Sequence, residues 1–217
     1  MKKALIIASF LVLSLYACNR EDNVSKVVAI SYPTITLNGN AVISVGVGTG
    51  SYTDPGAVGY DDVSHRTVNL TPVSNNVDLT KPGFYAVQYS MTNANGFVTR
   101  VSRLILVTPV SPSIDWSGTY KRVSNGQHVS ITKQGTGLYL TNNIGGVAAN
   151  PAFIFPVYIG QISDTVIQVP PQNDPVGGGT LYCTNGTFSL TPADTTFSYI
   201  IIGPSFGTSV RVFTHHP

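Results

Sequence analysis

The chain has 217 residues, of which only 10% are charged, with 12 Lys and Arg against 10 Asp and Glu for a formal charge of +2. Globular chains usually carry about 25% charged residues; here Gly, Pro, Ser, Thr and Asn take their place, the composition of an all-β extracellular protein with many turns and uncharged polar faces. Lys2 and Lys3 fall in an N-terminal leader, and without them ten basic side chains balance ten acidic ones, so no basic stripe remains to neutralise phosphates and nucleic-acid binding lacks its electrostatic footprint.

The leader comes first. Two lysines precede a nearly unbroken apolar run over residues 4–17, which is shorter than the ~20 residues a membrane-spanning helix needs and reads as a secretory signal. It ends in Leu15-Tyr16-Ala17-Cys18, which resembles the bacterial lipobox, with Tyr16 an unusual occupant. The resemblance implies a signal peptide over 1–17 and a mature chain that begins at a lipidated Cys18. Acyl chains would then hold it on a membrane at about 0.8 kcal/mol per buried methylene. An ordinary signal peptide with a stray cysteine, or an uncleaved anchor, is the alternative. Residues 18–29 form a tether. Its Glu21 and Asp22 resemble the surface-export signals of Bacteroidetes lipoproteins, interrupted by Arg20, and imply display at the cell surface of an outer-membrane lipoprotein. A plain solvated tether would look the same.

Beyond the leader no segment shows helical periodicity. Short β-branched and aromatic runs alternate with Gly, Pro and Asn clusters, so every predicted element is a strand. "AVISVGV" sets Ala41, Ile43, Val45 and Val47 on one face; "FYAVQYSM" does the same for Tyr85, Val87, Tyr89 and Met91. "TRVSRLILV" closes the region. Asp54-Pro55-Gly56 and Lys81-Pro82-Gly83 are turns in which proline presets φ and glycine accepts a positive one. Asn95-Gly96 is a hairpin signal. Taken together, "ITLNGNAVISVGVGTGSYTDPGAVGYDD" and "VDLTKPGFYAVQYSMTNANGFVTR" resemble a bacterial immunoglobulin-like domain found in crystal toxins and Bacteroidetes surface proteins. The matching residues are Leu37-Asn38-Gly39, the segment 52–57, Asp61, Lys81-Pro82-Gly83, Tyr85, Tyr89 and Asn95-Gly96. "DDVSHRTVNL" and Asn93 depart from it. The resemblance implies a β-sandwich over 30–108.

Pro109 and Pro112 then punctuate a stiff linker over 109–115. Residues 116–217 start a second set: "GTYKRV", "HVSITK", "GLYLTN", "VYIGQI", "TVIQVP", "GTFSLTP", "TFSYIII" and "SVRVFTHH". In "TFSYIII", Phe197, Tyr199 and Ile201 share a face. Such a series predicts an antiparallel meander, as a barrel or a sandwich. Its "WSGTY" opening and meander resemble the C-terminal domain of small Bacteroidetes lipoproteins encoded beside polysaccharide-uptake systems, which implies a setting and no activity. The fold class is thus all-β, an immunoglobulin-like sandwich followed by an antiparallel meander or barrel-like domain.

Motifs for chemistry are weak. "GPSFG" over 203–207 matches G-x-S-x-G, but strands flank it where a hydrolase needs a strand-to-helix elbow, and no acid follows Ser205. "PVGGGT" lacks the Gly-Lys of a phosphate loop. His65 and His128 are isolated, His215 and His216 sit at the C-terminus, and no metal-ligand spacing is present. Asp54, Asp61 and Asp62 lack a calcium-loop pattern. Asp115, Asp164, Asp174 and Asp194 are the only acids of the second half, each beside a turn. If Cys18 is lipidated, Cys183 has no disulfide partner and reads as a small core residue. No catalytic residue, metal or cofactor is therefore expected. Asp164-Thr165-Val166 and Asp194-Thr195-Thr196 resemble the O-glycosylation sites of Bacteroidetes secreted proteins.

What remains is aromatic surface. Sugar faces stack on exposed rings, whose polar tips can hydrogen-bond. Trp116 at the linker, and Phe153, Phe155 and Tyr158 in the unusually greasy "PAFIFPVY", are the candidate ligand-binding residues, against the alternative that such rings fill the core. The expectation is a cell-envelope lipoprotein, not an enzyme. It would bind a glycan, or serve as an accessory of a polysaccharide-uptake system, with the sandwich as a spacer. The alternative is an assembly subunit of an outer-membrane complex with no ligand of its own. The membrane, through the N-terminal lipid, is the expected partner in both.

Overall fold

The structure, a computed structural model, describes residues 30–148, 150–191 and 194–217. The signal peptide, Cys18 and the tether to residue 29 lie outside the described residues. Among the described residues the architecture is all-β, as expected, with one 3-10 turn at Pro151–Phe153.

Two sheets build the N-terminal sandwich. Strands β1 (Thr34–Leu37), β3 (Ala57–Asp61) and β4 (Arg66–Leu70) form one, in the order β1-β3-β4. Strands β2 (Val42–Gly46), β5 (Ser74–Asn75), β6 (Gly83–Thr92) and β7 (Val98–Thr108) form the other, in the order β2-β7-β6-β5. Among the described strands of the sandwich, β2 against β7 is the one parallel pair. The two-residue alternation of a strand places Val87 and Tyr89 of β6, and Ile105 and Val107 of β7, in the core. Ala57 closes the core from the facing sheet, with Ile35, Leu37 and Leu70 packed against it. The predicted Asn95-Gly96 turn joins β6 to β7, with Gly96 at φ 86°.

One charged pair is buried in this sandwich. Gly56 takes φ 87° in the predicted Asp-Pro-Gly turn, and its N–H donates to Asp54 Oδ1 at 2.8 Å. The Tyr52 hydroxyl donates to Asp54 Oδ2 at 2.7 Å, and the Tyr89 hydroxyl donates to Oδ1. The fully buried Arg103 lies 3.5 Å from the same carboxylate through Nε, and its Nη2 donates to the carbonyls of Asn38 and Gly56. Desolvation pushes the Asp54 carboxyl up, but the bonds from Tyr89, Tyr52 and Gly56 and the Arg103 charge outweigh it and hold the carboxyl below its ordinary value. The same site pushes the Tyr89 hydroxyl up to about 12, through desolvation and then the bond to Asp54. Four motif residues of the first half, Tyr52, Asp54, Gly56 and Tyr89, thus meet in one network around Arg103.

The second half is a single antiparallel sheet. Its strands are β8 (Gly118–Arg122), β9 (His128–Gly135), β10 (Leu138–Thr141), β11 (Val157–Gln161), β12 (Ile167–Gln168), β13 (Gln172–Asn173), β14 (Thr180–Leu190), β15 (Thr195–Ile202) and β16 (Val210–His215). Their order is β12-β11-β10-β9-β8-β16-β15-β14-β13, so the last strand pairs with the first of the set and the sheet curls. The curl brings β12 onto β14: the Phe188 N–H donates to the Thr165 carbonyl at 2.8 Å, the Cys183 N–H reaches the Val169 carbonyl at 3.3 Å, and Val166 bridges Thr187. A bulge between Thr184 and Thr187 makes this possible. Asn185 takes φ 52° there, and any Cβ on Gly186 would overlap the Ile167 carbonyl. Bonding of the β12 segment to β14 covers part of this sheet's edge, in a chain with few charges to protect it.

Rings fill the barrel. Phe197, Tyr199 and Ile201 point inward from β15 as their alternation predicts. Trp116 lies with its ring centroid 4.0 Å from Tyr139 and 5.0 Å from Phe188, and Phe197 stacks on Phe213 at 4.8 Å. The polar tips find partners: the Tyr120 hydroxyl donates to the Trp116 carbonyl at 2.7 Å and the Tyr199 hydroxyl to the Ile144 carbonyl at 2.8 Å. Each such ring contributes roughly 1.5–3 kcal/mol by its burial.

The segment 109–115 is fastened down. Val110 is buried, the Lys133 ammonium donates to the carbonyls of Pro112 and Ile114, and the Tyr139 hydroxyl donates to the Ile114 carbonyl. Barrel and sandwich also touch directly. The Thr108 hydroxyl donates to the Gln161 carbonyl at 2.7 Å. A Cβ placed on Gly160 would sit 2.5 Å from Phe84 and 2.7 Å from Leu106, so glycine is what lets β11 lie on the sandwich face.

Candidate functional site: a cleft where barrel and sandwich meet

The "PAFIFPVY" segment leaves the 3-10 turn and runs into β11. Asn150 starts the turn by accepting the Ala152 N–H, Pro151 occupies its first position, and Ile154 returns the backbone to an extended conformation at φ -99°, ψ 94°. Phe155, Pro156 and Tyr158 then line one wall of an open cleft of about 510 Å³. Pro171, Gln172, Asn173 and Pro175 continue the wall, and Val42, Ser102 and Leu104 of the sandwich form the other. Gln172 locks the geometry: its Oε1 accepts the Tyr158 N–H at 2.9 Å and its Nε2 donates to the Tyr158 carbonyl at 3.0 Å. A side chain thus supplies a rung of the ladder, and Tyr158 is held as a strand residue. Phe155 and Tyr158 are half-buried, and the Tyr158 hydroxyl makes no hydrogen bond to a described residue. The cleft is apolar with few polar groups, and its volume is that of small-molecule sites, about 300–1,000 Å³.

The four candidate rings do not converge. Phe155 and Tyr158 line this cleft. Phe153 points elsewhere, packing edge-to-face on Phe206 at 5.8 Å in a separate recess. Trp116 is 2% exposed in the barrel interior, and its Nε1 donates to Gln161 Oε1 at 3.0 Å. Its faces are covered by Tyr139, Phe188 and Phe197, so no sugar can stack on it. Sequence position at a linker suggested exposure; enclosure by β15 and β14, distant in sequence, decides otherwise. Gln172 and Asn173 carried no sequence signal, because a clamp on a neighbouring backbone depends on pairing alone.

The other motifs resolve locally. The "GPSFG" segment is the turn between β15 and β16, with no helix after Ser205. Asp61 caps a turn, accepting the N–H groups of Val63, Ser64 and Ala94 and the Ser64 hydroxyl. Asp174 does the same for Val176 and Gly177. Asp115 and Asp194 line one polar recess of about 290 Å³ with His215. The Ser117 N–H holds the Asp115 carboxyl below its ordinary value, opposite to the raised value a general acid needs. Cys183 lies half-buried against the barrel core, and burial pushes its thiol up to about 12, opposite to an activated nucleophile. His215 packs against Tyr120 and His216 against His128.

Residues 35–107 match the family model described as bacterial surface protein, Ig-like domain, in agreement with the sandwich formed by β1 to β7. No curated protein matches the chain. Among solved structures, the chain is similar to a lipoprotein from Bacteroides thetaiotaomicron, at 17% identity and a TM-score of 0.38, over 84% of this chain and 98% of that one. It is also similar to a structure of CBM51-2 in complex with GlcNAc and INT domains from Clostridium perfringens ZmpB, at 12% identity and a TM-score of 0.29, over 84% of this chain and 44% of that one. Likenesses this distant carry no argument about function.

Proposed function

We propose that the protein is a non-catalytic lipoprotein of the bacterial cell surface that binds a glycan in the cleft between barrel and sandwich. The observation that carries the reading is the pair of half-buried rings, Phe155 and Tyr158, that line one wall of an open apolar cleft, with the Tyr158 backbone clamped by Gln172. A sugar ring presents an apolar face to such rings and hydroxyls to polar groups beside them, and the Tyr158 hydroxyl, Asn173 and Ser102 are among the lining groups that could bond those hydroxyls. The surface setting rests on the family matched by residues 35–107, and the membrane attachment on the lipobox-like segment ending at Cys18. The sandwich then does more than lift the barrel off the membrane, because Val42, Ser102 and Leu104 supply a wall of the site.

Affinity electrophoresis tests the reading. The purified full-length protein is run in detergent through native gels containing plant, host and microbial polysaccharides. Retardation by one class, reduced about fivefold or more in apparent affinity by Tyr158→Ala, is expected for loss of one stacking ring worth ~1 kcal/mol or more. No retardation by any class refutes it and favours the assembly-subunit alternative.

A further inference from the structure

We propose a second binding site, in the recess beside the β15–β16 turn, for a sugar residue that carries an anionic oxygen group. The recess has a volume of about 430 Å³, and its lining includes Asn125, Asn150, Phe153, Phe206 and Arg211. Phe153 and Phe206, both half-buried, meet edge-to-face and offer an apolar surface. Arg211 is 6% exposed, with its guanidinium centre 5.6 Å from the centroid of the Phe206 ring.

What points to an anion is the absence of one in the fold. Arg211 donates through Nη1 to the carbonyls of Gly207 and Ser209, while its buried Nε has no acceptor. Neither ion pair of the described residues includes it. The charge nearest in effect is a second cation, Arg122, which donates to the carbonyls of Gly145 and Gly146 and whose buried Nε also has no acceptor. In the sandwich the buried Arg103 is given Asp54; among the described residues, no carboxylate pairs with Arg211 or Arg122. A buried charge with no counter-charge is costly, and an anionic ligand entering the recess offsets that cost. A guanidinium takes a carboxylate or a sulfate through charge-assisted bonds. Asn150 spends its Oδ1 on the Ala152 N–H, which leaves its amide NH₂ for a ring hydroxyl.

Titration calorimetry of the full-length protein tests the proposal with four probes: D-glucuronate, its methyl ester, D-glucose 6-sulfate and inorganic sulfate. One or both anionic sugars bind, and which of them binds tighter tells a uronate source from a sulfated one. The ester, which keeps the ring and lacks the charge, binds at least about tenfold more weakly, and so does sulfate ion, which lacks the ring. Arg211→Gln weakens the anionic sugar at least about tenfold. Phe153→Ala, at a half-exposed position, weakens it without lowering the melting temperature and keeps the test open if Arg211→Gln fails to fold. Equal binding of ester and acid, equal binding of sulfate ion, no binding of any anionic sugar, or full binding by Phe153→Ala overturns the proposal.

Discussion

Trp116→Ala is expected to destabilise the barrel rather than to weaken binding alone. The ring is enclosed by Tyr120, Tyr139, Phe188 and Phe197, and its Nε1 holds the buried Gln161. Removing a fully enclosed indole costs about 3–5 kcal/mol. Trp116→Phe keeps most of the volume but leaves Gln161 Oε1 without its donor, for about 1–3 kcal/mol. At roughly 2–4 °C per kcal/mol for a chain of this size, the alanine variant melts about 6–20 °C lower and the phenylalanine variant about 2–12 °C lower. Calorimetry reads both. Adding Gln161→Leu to Trp116→Phe removes the stranded acceptor and returns part of the loss. A Trp116→Ala protein that melts within about 2 °C of the parent, yet no longer binds polysaccharide, would refute the enclosure and restore Trp116 as a surface contact.

Three further outcomes follow from named contacts. Gly160→Val forces a side chain into Phe84 and Leu106 and is expected to cost about 1–3 kcal/mol and to raise protease sensitivity in the segment 109–115; unchanged melting and cleavage would contradict the close approach. Gly186→Val collides with the Ile167 carbonyl and opens the β12–β14 edge, seen as faster amide exchange at Cys183 and Phe188; protected amides would contradict closure. Asp54→Ala strands the buried Arg103 and costs about 3–5 kcal/mol at neutral pH. Because the folded Asp54 carboxyl is held below its ordinary value of ~3.9, its contribution is present above that value and is lost as pH falls through the lower folded one. The parent's denaturation midpoint should therefore fall across that acid window more steeply than the variant's, and parallel curves would contradict the network.

The strands were legible because alternation is local. Phe197, Tyr199 and Ile201 on one side of β15, and Val87 and Tyr89 on β6, are read directly from a period of two. The turns at Gly56 and Gly96 are legible for the same reason, since only a few residues tolerate positive φ. What the sequence does not display is pairing between distant segments. The parallel match of β2 with β7, the bond between β12 and β14, and the charge pair of Asp54 with Arg103 all depend on it. The candidate site was half legible. The greasy loop over 151–158 pointed to Phe155 and Tyr158, but which rings face out depends on what covers them, so Trp116 and Phe153 went elsewhere. Arg211 and Arg122 gave no signal at all, because a missing counter-charge is visible only once the neighbours are in place.

The glycan cleft is the central claim, and affinity electrophoresis of the full-length protein beside its Tyr158→Ala and Phe155→Ala variants tests it most directly. The expected result is retardation by one polysaccharide class that each variant weakens by about fivefold or more, with melting curves close to the parent's. Retardation unchanged by both substitutions would place any glycan outside this cleft, and the absence of retardation would remove glycan binding there altogether.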